Sequence, residues 1–153
     1  MRGLSRPGRI AGIAGMVLVS ELYVAHALLL KVQGHGLEAP WLLTLVLPGA
    51  LAAHMARTSG DDRNLEQEGA LAGLLTAHFA AILQVAVLVI SVFNIDWASY
   101  TAQVGSDVAN GVHGMVIPAT AVASVVLIGV TYTGCILASW LGALAYKTIL
   151  RVH

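Results

Sequence analysis

Four long apolar runs, separated by short polar stretches, set the pattern of this chain. They cover about 10–30, 40–57, 69–94 and 115–146. A helix needs roughly 20 mostly apolar residues to cross about 30 Å of hydrocarbon, and each run approaches or exceeds that length. The second run is the shortest and contains Pro48, which predicts a kink within it. Pro118 falls in the first turn of the fourth run, a position where helices tolerate proline. Trp41, Trp97 and Tyr100 at one set of ends, and Trp140 and Tyr146 at the other, fit interfacial anchors. The predicted fold is all-α and integral to a membrane. It is a single transmembrane domain over 1–153, a bundle of four transmembrane helices.

Composition agrees with that pattern. The chain is 58% hydrophobic and 10% charged, against about 25% charged in an average soluble domain. The charges are clustered at 2–9, 31–38, 57–68, 96–107 and 147–151. Glu21 is the exception, a lone carboxylate in the middle of Gly12–Leu30. The balanced net charge excludes the basic face that nucleic acid requires. Cys135 is the single cysteine, so neither a disulfide framework nor a thiolate metal cluster is expected. The basic start followed by an apolar stretch resembles a signal peptide, but the stretch is too long for one. It reads as a retained span.

The distribution of Lys and Arg orients the helices. Arg2, Arg6, Arg9, Arg57, Arg63, Lys147 and Arg151 fall on one side, and only Lys31 on the other. Basic residues accumulate on the cytoplasmic side, which predicts both termini there. The expected location is the cytoplasmic membrane of a prokaryote, in a multi-pass arrangement. On the cytoplasmic side, Asp61 or Asp62 is placed to cap a helix whose first turn carries Glu66 and Glu68. The outer segment from Asp96 to Gly114 reads as a polar loop that is a lid or docking surface.

Small residues recur at helical spacing. Gly69, Gly73, Ala77 and Ala81 form one stripe, and Gly134, Ala138 and Gly142 another. Such stripes let helices approach closely where lipid supplies no hydrophobic drive between them. Gln84 continues the first stripe, so it is expected to face protein.

Depth along the spans selects the candidate chemistry. At about 1.5 Å per residue, Glu21 lies roughly 14 Å from the outer end of its span. Gln84 lies roughly 15 Å and Ser124 roughly 14 Å from theirs. These three form a predicted polar cluster at the midplane, with Tyr23 as a further hydrogen-bond donor. An intramembrane carboxylate is costly and by default a functional candidate. Without a nearby cation, burial favours the neutral acid, which would serve as a clasp between helices.

Histidines give a second constellation. His54 lies roughly 21 Å and His78 roughly 24 Å from the outer ends of consecutive antiparallel spans. Matched depth is what two axial ligands of haem b, or a ligand to a chlorin magnesium, require. His26 is too shallow to share such a metal, and His35, His113 and His153 lie outside the spans. No dedicated metal site, phosphate loop or nucleophile–base pair is legible.

The sequence therefore predicts a small, non-catalytic structural or accessory subunit of a larger membrane complex, energy-transducing in one version. Its expected partners are the lipid bilayer and other membrane-protein subunits. Two alternatives stand beside it: a proton-coupled small transporter using Glu21, and a haem- or chlorin-binding redox or pigment subunit using His54 and His78.

Overall fold

Helix start and stop signals divide the chain at its polar stretches. The computed structural model describes residues 6–29, 45–60 and 64–152, with side chains described over 6–22, 45–60 and 64–149. Among the described residues there are five helices and no strand: α1 (Arg6–Leu29), α2 (Val46–Thr58), α3 (Leu65–Phe93), α4 (Trp97–Val104) and α5 (Ser106–Val152). The expectations placed on the side chains of Tyr23 and His26 lie outside the described residues. So do those on Lys31, His35, Trp41, Asp61, Asp62, Arg63, Arg151 and His153.

Two helices, α3 and the Ser106–Ile149 part of α5, are long and apolar enough to cross a membrane. Their 29 and 44 residues correspond to about 43 and 66 Å of rise. The segment expected as an outer loop is helical instead. Asp96 caps α4 by accepting a hydrogen bond from the Ser99 backbone N–H at 3.1 Å. Gly105, at φ 87°, ends α4, and its carbonyl accepts the first bond of α5 from Ala109 N–H at 3.0 Å. A residue with a Cβ is strained at that φ, which is why glycine makes the turn. Because α5 begins at Ser106, Pro118 sits well inside it rather than in its first turn. The helix runs on through this proline, which can donate no bond to the preceding turn. The reverse holds for Pro48. α2 begins at Val46, so Pro48 occupies the first turn, where a missing N–H goes unused.

The chain divides into two compact units, 1–80 with 131–153, and 81–130. The divisions fall inside α3 and α5.

In the first unit, α1, α2 and the adjoining parts of α3 and α5 pack through very small side chains. Ala11, Ala52, Ala53, Ala56, Ala72, Ala77 and Ala143 are fully buried, and Val19, Thr76 and Ser139 are the largest side chains that are. The registers are read from the glycines. A Cβ on Gly69 would lie 2.5 Å from Ala143 Cβ, and one on Gly73 would lie 2.6 Å from the Cys135 carbonyl oxygen. Position rises along α3 as it falls along α5, so these two segments run antiparallel. Gly8, Gly12 and Gly15 meet Leu71, Leu75 and Thr76 in turn, so α1 runs parallel to α3. The start of α2 presses on α5 backbone to backbone. A Cβ on Gly49 would overlap the Ser139 carbonyl, and one on Gly142 would overlap the Val46 carbonyl. Ser139 Oγ donates to the Leu45 carbonyl at 3.0 Å, tying down the same crossing.

Gly134 differs from Gly142, the other glycine of its stripe, with nothing within 4 Å of an added Cβ. This contrast gives a direct test. Gly49→Ala and Gly142→Ala should each destabilise the protein by about 1–3 kcal/mol, the usual cost of overpacking. Gly134→Ala should be neutral or stabilising by up to about 1 kcal/mol, through helix propensity. Unfolding of the purified protein by sodium dodecyl sulfate titration measures all three.

Candidate functional site

Two groups of polar side chains in the first unit lie at separate levels along α5. The first level is at its C-terminal end. Lys147 Nζ and Glu66 Oε1 form an ion pair at 2.6 Å, with each side chain about a third exposed. Glu68, two residues further on, is buried, and its carboxylate accepts a hydrogen bond from the Gly8 backbone N–H at 2.9 Å. Gly8 is the third residue of α1, so this N–H has no acceptor within its own helix. A carboxylate at that position also complements the positive end of the helix dipole. Gly8 carries no side chain that would obstruct it; a Cβ there would lie 2.7 Å from Glu68 Oε2. Spacing alone suggests that Glu66 and Glu68 serve the start of their own helix. In the structure, Glu66 engages α5 and Glu68 caps α1.

His54 belongs to the same level. Its Nδ1 is hydrogen-bonded to the Tyr146 hydroxyl at 2.8 Å, with the two rings nearly perpendicular at 87°. The second level repeats this arrangement. His78 Nδ1 is hydrogen-bonded to the Tyr132 hydroxyl, with the rings at 84°. Tyr132 and Tyr146 are 14 residues apart on one helix, about 21 Å of rise. The two histidines are therefore held one to each level and do not face one another across a single metal position. Each pairing leaves an Nε2 outside the tyrosine bond. Among the described residues, no three of His, Cys, Asp and Glu gather as a metal-binding group. The phenol partners were not legible in the sequence, because a pairing across 54 or 92 residues has no local signature.

Glu21 lies on α1 of the first unit, and its side chain is exposed. It makes no hydrogen bond or ion pair among the described residues. Gln84 and Ser124 belong to the second unit, where Gln84 is half-buried. Ser124 Oγ donates to the Thr120 carbonyl one turn back at 2.8 Å, a bond internal to α5.

The second unit has an apolar recess of about 570 Å³. Phe93, Trp97, Val116 and Ile117 contribute to its wall, together with His113 and Ser124. Trp97 stacks edge-on against His113 with ring centroids 4.6 Å apart, and against Tyr100 at 5.9 Å. Trp97 therefore joins the start of α4 to the first part of α5. The hydroxyl of Thr120 is spent on its own helix, as that of Ser124 is, which leaves the recess with little polar chemistry.

Comparison with protein families, curated proteins and solved structures finds no match to this chain.

The contact that α1 makes with Glu68 can be tested directly. Glu68→Ala strands the Gly8 N–H and should destabilise the protein by about 1–3 kcal/mol. Lys147→Met, which breaks only the part-exposed pair with Glu66, should cost no more than about 1 kcal/mol. Detergent unfolding gives the stabilities, and faster cleavage by trypsin after Arg9 would report fraying of α1 in the Glu68 variant.

Proposed function

We propose that this chain is a four-span membrane protein with both termini in the cytoplasm, serving as a non-catalytic accessory subunit of a larger membrane complex. One observation carries the reading: the distribution of side-chain size is inverted relative to a soluble domain. The fully buried positions hold alanine and little larger, whereas Phe93 is 84% exposed, Ile117 77% and Met115 70%. In water, that much outward apolar surface would drive association or aggregation. In hydrocarbon it is at rest, because helices there associate through small residues and close packing.

The alternating directions in the first unit support four spans. α1 parallel to α3, and α3 antiparallel to α5, is the order that successive crossings generate. The excess of Lys and Arg at the N-terminus, after α2 and after α5 supports cytoplasmic termini. An accessory role is supported by the apolar side chains of Leu137, Leu141 and Ile149, which α5 leaves exposed. The uncovered face of α5 also leaves room for other helices.

Two measurements test this reading. Mild detergent extraction of native membranes should release the protein in an assembly well above its own 15.9 kDa. A monomer in every detergent would overturn the subunit role. In spheroplasts, an impermeant thiol reagent should label Gln103→Cys, and should label Ser59→Cys only after permeabilisation. The opposite pattern would overturn the orientation.

A further inference from the structure

α1 has two distinct faces. Gly8, Ala11, Gly12, Gly15 and Val19 are buried and turn toward the rest of the first unit. Ile10, Ile13, Ala14, Val17 and Glu21 are exposed, and each lies three or four residues from another of the set. At 100° per residue these five positions fall within about a third of the helix circumference, opposite the buried face. The outer stripe is thus a continuous apolar seam with one carboxylate set into it.

A seam of Ile and Val alone is accounted for by lipid. Glu21 is not. It has no bonding partner among the described residues; Arg9 is 12 residues before it, about 18 Å of rise, and the next Lys or Arg after it in sequence is Lys31, 10 residues on. A carboxylate at that depth is costly against acyl chains and is paired in settled membrane structures.

We infer that the Ile10–Glu21 seam of α1 is the docking surface for a transmembrane helix of a different protein, which brings a Lys or Arg side chain to Glu21. Charge complementarity selects this occupant over a second copy. The chain has no Lys or Arg between Arg9 and Lys31, between Lys31 and Arg57, or between Arg63 and Lys147. None of its apolar runs can therefore offer a cation to another copy's Glu21. The inference rests on the membrane-subunit reading and names the chemistry of the partner.

The probe is a 21-residue leucine-rich transmembrane peptide with Arg at its centre, compared with otherwise identical peptides carrying Gln or Leu there. The full-length protein, labelled as fluorescence donor in phosphatidylcholine vesicles, is titrated with each acceptor-labelled peptide. The Arg peptide should bind at least about tenfold more tightly than the Leu peptide, a difference of about 1.4 kcal/mol. Glu21→Gln should abolish that preference, and its unfolding curve should match the parent because the side chain is exposed.

Three results would overturn the inference: equal binding of the Arg and Leu peptides, binding of the Gln peptide as tight as that of the Arg peptide, or an Arg preference that survives Glu21→Gln. Self-association of the labelled protein that is lost in Glu21→Gln would assign the seam to a second copy and would also overturn it. The size of the detergent-extracted assembly is read separately, so failure of the subunit reading and failure of the seam are distinguishable.

Discussion

Backbone-to-backbone approach between helices is the constraint on which the first unit depends. At the crossing of α2 and α5, Gly49 faces the Ser139 carbonyl and Gly142 faces the Val46 carbonyl, with no side chain between them. Dispersion over such a crossing is individually weak and collectively large, and it is lost quickly when helices separate. The same closeness lets Ser139 reach the Leu45 carbonyl, so a polar bond and tight packing reinforce one another. Ala52, Ala53 and Ala56 continue the narrow interface along α2. Large residues cannot share it, which is why they are found on the outside.

Close packing also decides where the polar groups end up. Once α1 lies against α3 through Gly8, Gly12 and Gly15, the Glu68 carboxylate is placed against an unsatisfied N–H of α1. Once α3 lies antiparallel to α5, Glu66 meets Lys147 and His78 meets Tyr132. These contacts pin the register and make sliding by one turn unfavourable, because a slip would part them all and leave the buried Glu68 carboxylate without the Gly8 N–H. The two His–Tyr pairs, one at each level of α5, read more simply as register pins than as the two sides of one cofactor site.

Glu21 stands apart from that internal accounting. Every other acidic side chain described in the first unit is engaged within the chain, at Glu66 or Glu68. Glu21 sits on the face that the packing of α1 turns outward. On the proposed reading, the fold satisfies its own polar groups at the end of the bundle and presents one carboxylate to a neighbour. This also explains how α1 can be closely packed on one side and unpartnered on the other.

The sequence by itself determined the helical class, the apolar runs that became α3 and α5, and the small-residue spacing at Gly69, Gly73 and Gly142. Those are local properties, set by composition and by a period of 3.6 residues. It misplaced features that depend on where a helix actually begins. Pro48 changed from a kink to a first-turn residue and Pro118 from a first-turn residue to an interior one, because a boundary shift of several residues reverses what proline does. The helical reading of 97–114 turned on the Asp96 cap and the Gly105 turn, two short signals within a stretch rich in small polar residues. The tertiary structure alone decided the long-range pairs His54–Tyr146, His78–Tyr132, Ser139–Leu45 and Gly8–Glu68. It alone also decided which face of α1 carries Glu21. Depth along a span can be counted in sequence, but azimuth cannot. Azimuth is fixed only when neighbouring helices choose which small residues to bury.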